Sequence, residues 1–189
     1  MFKVEEKRLR EIGFITENDI ILHIDEGKWK REGQYYVCDV VVTLKNGSIK
    51  SFILKCPWDM MYEIMEDPDN LKKGSSLIRE HVEKRSLWSK RILNLGPYAI
   101  RIDKYDDGTM IMEKNETTMN LYDAMQMMNP LEVERCLNVC KKLLDLIEHR
   151  LGLHFINRVY IGGNDVEFSR AFVITRDGNI MLEDLDFRV

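Results

Sequence analysis

The chain has no run approaching the roughly 20 apolar residues that span a bilayer, so a transmembrane helix is not expected. Its start, MFKVEEKRLREIGF, carries acidic residues within six positions and lacks the apolar core of a signal peptide. Cysteine is scarce. Cys38, Cys56, Cys136 and Cys140 fall in different predicted elements apart from the last two, and no CxxC or Cys/His ligand spacing occurs. Cys136 and Cys140 are four apart and share a helix face, but two ligands do not close a tetrahedral zinc site. Buried, reduced thiols in an intracellular, cytoplasmic protein are the expectation. Positive charge is not in excess either: 28 Lys and Arg stand against 32 Asp and Glu, a formal charge of -4, with the cations scattered. Nucleic acid is therefore not an expected partner, because phosphate binding needs a clustered basic face.

What is present is an ordinary globular composition, 44% hydrophobic and 32% charged over 189 residues, enough for one core without disulfides or metals. Val4, Leu9 and Ile12 sit among charges and suggest a short helix over 3–12 that ends at Gly13. DIILHID (19–25) reads as a strand and GKWKREGQ as a turn. The Tyr- and Val-rich run 35–44 leads to Asn46-Gly47, a hairpin signal, and SIKSFILKC (48–56) completes a third antiparallel strand.

After Pro57 a polar stretch leads to Ser75 or Ser76, either able to cap a helix over 77–93, with Leu77, Val82, Leu87, Trp88 and Ile92 on its apolar side. Asn94-Leu95-Gly96-Pro97 ends it. Strands are expected over 99–105 and 109–113 around the turn Asp106-Asp107-Gly108. Helices are expected over 120–128 and 130–151, and a last hairpin over 172–175 and 179–183 turns at Arg176-Asp177-Gly178. The fold class is α+β in one domain, with a five-stranded antiparallel sheet and one helix over about 1–113, then a mainly helical part over about 114–189.

Three strands, a helix, two strands, then helices and a short hairpin resembles the order in the small lobe and early large lobe of protein-kinase-like phosphotransferases. Within FILKCP, Lys55 is similar in position to the third-strand lysine that contacts nucleotide phosphates. Glu83, or failing that Glu80, stands where a glutamate would pair with that lysine. Met112-Glu113-Lys114 resembles the hinge, which implies that Glu113 borders a bound nucleotide. LLDLIEHRLGLHFI resembles the helix entering the catalytic loop. AFVITRDGNIMLEDLDF is similar to the hairpin ending in the metal-binding aspartate, here Asp184. The resemblance implies ATP and Mg2+ as cofactors.

The departures bear on activity. IDEGKWKREGQYYV holds two glycines and no GxGxxG to bring backbone amides close to phosphates. Counting back from the hairpin puts Ala171 at the asparagine position of the catalytic loop and Val166 at its aspartate position, so the nearest candidate base is Asp165, one residue off. Asp165 lies in GGNDVEF, which also reads as a plain turn. The sequence ends five residues after Asp184, which implies no activation segment or later large-lobe helices.

Each of these residues also has a simple structural reading: Lys55 as a solvated strand lysine, Glu83 as part of a charged helix face, and Glu183, Asp184 and Asp186 as a solvated acidic cluster. Met119, Met125, Met127 and Met128, and likewise Trp58 and Trp88, suit packing more readily than binding. Three functions are consistent with the pattern. The first is a degenerate kinase-like domain, in effect a pseudokinase, acting through a protein partner with residual nucleotide affinity. The second is an active phosphotransferase using Asp165, Asp184 and Lys55. The third is a non-catalytic α+β interaction module.

Overall fold

The computed structural model describes residues 3–32, 35–57, 76–114, 118–156, 167–185 and 187–188. Trp58, Ser75, Asp165, Val166 and Asp186 lie outside these residues. The chain is α+β and divides into two compact units, residues 1–87 with 101–115 and residues 88–100 with 116–189. The stretch 88–100, which the sequence pattern places in the strand-rich first part, therefore groups with the second.

In the first unit the short helix α1 (Glu6–Glu11) precedes strands β1 (Ile21–Glu26), β2 (Lys30–Glu32), β3 (Tyr35–Leu44) and β4 (Ile49–Pro57). After helix α2 (Ser76–Leu93) come β5 (Ile102–Lys104) and β6 (Met110–Lys114). The antiparallel sheet runs β1-β3-β4-β6-β5, with β2 also paired to β3. Among the described residues it thus has six strands, where the sequence pattern predicts five. The additional strand is Lys30–Glu32, inside the segment read as a turn. Its residues KRE are all exposed, so they carry no hydrophobic alternation; pairing with Tyr35–Val37 alone makes them a strand.

Period-2 alternation in β3 and β4 gives the sheet two distinct faces. Cys38, Val40, Val42, Leu44, Phe52 and Leu54 point to one side, where Val4 before α1, Leu9 on it, and Phe14 and Ile15 after it close a buried layer. Each such side chain, fully buried, contributes about 1.5–3 kcal/mol relative to exposure. Gly13, at φ 71, lets the chain turn out of α1 into this layer. α1 is fixed by polar contacts too: Arg8 donates to the carbonyls of Lys104 and Tyr105, Glu5 N–H donates to the Tyr105 hydroxyl at 2.9 Å, and Val4 N–H donates to Glu26 Oε1 at 2.6 Å.

The second unit holds β7 (Thr118–Asn120), α3 (Leu121–Met125), α4 (Pro130–Leu151), β8 (His154–Phe155), a 3-10 turn (Glu167–Ala171), β9 (Phe172–Thr175), β10 (Ile180–Leu182) and β11 (Phe187–Arg188). β9 and β10 form the expected hairpin, and β7 adds to its other edge in the order β10-β9-β7. α4 keeps its predicted bounds because both ends are specified locally. Asn129 accepts from Leu131 N and Glu132 N while Glu132 accepts from Asn129 N, a complete capping box with Pro130 following. At the far end Gly152 takes φ 64, the left-handed conformation in which a side chain is strained.

Tyr98 and Ile100 flank a parallel bridge to β10: Leu182 N–H donates to Tyr98 O at 2.8 Å and Ile100 N–H to Leu182 O at 2.7 Å. Trp88 packs edge-on to Phe187 with ring centroids 5.9 Å apart, in keeping with its expected packing role. No helix among the described residues is long and apolar enough to cross a membrane.

Candidate functional site

Lys55 lies on β4, between β3 and β6, opposite Val37 on one side and Met110 on the other. Alternation with Leu54 and Cys56 turns it away from the α1-covered layer. Its ammonium sits 4.6 Å from the ring centroid of Tyr35, within cation–π range. The Tyr35 hydroxyl in turn lies 3.4 Å from His81 Nε2 on α2.

The same register puts Lys30, Asp39 and Lys114 on the Lys55 side of the sheet. Asp39 accepts from Lys114 at 2.7 Å, and Lys30 lies 3.6 Å from its other oxygen and 2.6 Å from Glu32. The Lys114 hydrogen bond, followed by the charges of Lys114 and Lys30 against a desolvation that acts the other way, holds the Asp39 carboxyl below its ordinary range. Asp39, Lys30 and Lys114 escape a sequence reading because they meet only through strand pairing. The one available signal is an acid inside the apolar run YYVCDVVVTL.

Glu83 has a different neighbour from the one the resemblance implies. It meets Lys104 on β5, Oε1 to Nζ 3.1 Å, with its side chain 61% exposed, and Lys104 also binds Asp107 at 2.6 Å. Lys55 and Glu83 form no ion pair, and Glu80 is taken by Lys84 one turn along α2. The reason is helical phase. Ile78, Val82, Ser86 and Ser89 form the buried stripe of α2, so Glu83 stands on one flank and His81 on the other. Within the stripe, Ser86 donates to Asp103, a buried carboxylate only 7% exposed, at 2.8 Å. Glu113 is exposed on β6 opposite Phe52, and its N–H donates to Arg101 O at 3.0 Å.

In the second unit Asp184 stands two residues after the end of β10, with Glu183 between. The Ala171 carbonyl accepts from both Glu183 N–H, at 2.9 Å, and Asp184 N–H, at 3.1 Å. β8 pairs with β11, Phe155 opposite Phe187 and His154 opposite Arg188. The rings of Phe155 and Phe187 pack 5.5 Å apart. Both ends of the segment 156–171 are thereby tied to the few residues around Asp184. Asp165 falls within that segment but outside the described residues. Ala171, 4% exposed, brings only a methyl group and a carbonyl already occupied by two donors, so its side chain supplies no metal ligand. His154 is engaged by Glu148, Nδ1 to Oε1 3.1 Å. Among the described residues no group of three or more His, Cys, Asp or Glu is placed to hold a metal ion.

Chemically, the first unit offers a sheet face with three lysines, two of them partly neutralised by Asp39 and Lys55 held against an aromatic ring. The second unit offers the Asp184 carboxylate just after the β9–β10 hairpin. Family models, curated proteins and solved structures were all compared with the chain, and none matches. The fold and its sites therefore define an α+β protein of two compact units with antiparallel sheets and, among the described residues, four α-helices.

Proposed function

We propose that the chain is a degenerate kinase-like domain, acting in the cytoplasm by binding another protein and keeping residual affinity for ATP through Lys55 and, with Mg2+, Asp184. The element order that carries the resemblance is present in the described residues: strands, α2, two more strands, α4, and a hairpin leading to Asp184. One observation favours the degenerate form over an active one. Phosphoryl transfer of this type uses a lysine–glutamate ion pair to hold the lysine on the phosphates. Here Glu83 is held by Lys104, and Lys55 is held by the Tyr35 ring. The missing glycine-rich loop and the methyl group of Ala171 weaken phosphate and metal binding in the same direction.

A second reading, an active phosphotransferase with a divergent site, is favoured by the β9–β10 hairpin that leads to Asp184, whose N–H donates to Ala171 O. Asp165 would orient the acceptor hydroxyl, Asp184 would hold Mg2+ and Lys55 would contact phosphate, with catalysis by positioning and charge neutralisation. A non-catalytic α+β interaction module is the third.

Thermal unfolding with and without ATP and Mg2+ separates them, since a ligand that binds only the native state raises the midpoint by mass action. Residual affinity predicts a metal-dependent rise at millimolar ATP, lost in Lys55→Ala, with no transfer of labelled phosphate to the protein or to a generic acceptor. Transfer abolished by Asp184→Asn would establish the second reading instead. No shift at saturating ATP would leave only the interaction module.

A further inference from the structure

We propose that Met128, Cys136 and Cys140 form a three-sulfur site for a soft monovalent cation, cuprous ion by chemical class. The observations all lie in the second unit. Cys136 and Cys140 are one turn apart on α4, so their thiols leave the same face of the helix. Met128 stands just before the Asn129 cap, its N–H bound to Met125 O at 3.2 Å at the end of α3. Between that turn and the capping box its backbone has little freedom, and its Sδ lies 3.8 Å from Cys136 Sγ. Two sulfurs each about 2.3 Å from one metal in a three-coordinate site, about 120° apart, are separated by about 4.0 Å, close to that contact. The ligand edge is therefore formed before any ion arrives.

The burial gradient provides both a way in and a closed back. Met128 and Cys136 are half-buried, while Cys140 is fully buried against the core side of α4. Burial pushes the Cys140 thiol up to about 12 and, with the charge of Glu132 as a second cause, raises that of Cys136. Glu132 adds a negative potential that favours a cation. The donor set selects the ion. A thioether with two thiols suits a soft cation of low coordination number, whereas zinc needs a fourth ligand, and the described residues offer no third His, Cys, Asp or Glu here. Binding is a proton exchange without redox change: two S–H bonds break, two copper–thiolate bonds form, the thioether donates a lone pair, and two protons leave to solvent.

The test is a competition under anaerobic, reducing conditions between the full chain and the coloured cuprous complex of bicinchoninate. One equivalent of copper should transfer to the protein, and Zn2+ should not transfer from a zinc indicator. Met128→Leu and Cys136→Ser should each weaken transfer at least tenfold with an unchanged circular dichroism spectrum. Cys140 is left intact because a change at a fully buried sulfur would alter packing as well. Affinity should fall about 100-fold per unit drop in pH, the signature of two displaced protons. Failure of any transfer overturns the site, as does undiminished transfer in both variants, which would put the copper on Cys38 and Cys56 instead. A pH slope of one proton or fewer overturns the paired thiolates.

Discussion

Single residues set the electrostatic behaviour of the first unit, and Asp106 is the clearest case. It sits in the turn between β5 and β6, accepts from Gly108 N–H at 3.0 Å, and burial pushes its carboxyl up to about 7. The unfolded chain releases that proton near the ordinary carboxylate value of about 4, so between the two values the folded state binds the proton more tightly. The stabilisation is therefore complete below about pH 4 and is lost as pH rises through about 7. Urea unfolding midpoints measured from pH 5 to 8 should fall with rising pH, and Asp106→Asn should flatten that slope. An unchanged slope in the variant would place the proton elsewhere. At this scale the sequence was partly legible. The side of the sheet that Lys55 takes follows from alternation with Leu54 and Cys56. The partner of Glu83 does not, because spacing locates a charge on a helix but the flank it occupies depends on which stripe the core selects. Ion pairs such as Asp39–Lys114, 75 residues apart, are invisible until strands are in register.

Elements were legible where their ends are written locally. α4 begins with Asn129-Pro130 and stops at Gly152, and each device acts within four residues of itself. Asn129→Ala removes the acceptor for Leu131 N and Glu132 N, and should cost about 1 kcal/mol. Thermal denaturation should show a lower midpoint, recovered by Asn129→Ser, whose hydroxyl can also cap. If the serine variant were no better than the alanine one, the cap would not be what stabilises α4. The strands missed in the sequence are β2, β7, β8 and β11, each two or three residues long. Segments so short carry no measurable period, and they are strands only because a distant partner offers backbone hydrogen bonds. β11, for example, is defined by β8 some 32 residues earlier, through Phe187 opposite Phe155.

For the whole molecule, the order of the longer described elements could be read from the sequence, but the way the chain is shared between its two units could not. The second unit includes 88–100, through the Tyr98, Ile100 and Leu182 hydrogen bonds, the contact of Trp88 with Phe187, and Arg91 donating to Leu151 O at 3.0 Å. A fragment 114–189, cut where the sequence pattern changes character, should accordingly show poor amide dispersion by NMR. Adding the peptide 88–100 in trans should improve it. A well-dispersed spectrum for the fragment alone would mean that those contacts are dispensable. The bridge to Leu182 also has a temporal side. On a ribosome, Tyr98 is made 84 residues before Leu182, a wait of roughly 4–17 s at ordinary elongation rates. Through that interval its backbone acceptor has no strand to serve, although every strand of the first unit's sheet has been synthesised by residue 114. The two units therefore mature in sequence, the first during translation and the second only as the chain nears Arg188. A nascent-chain protease pulse should find 35–57 and 101–114 protected while 118–156 is still cut.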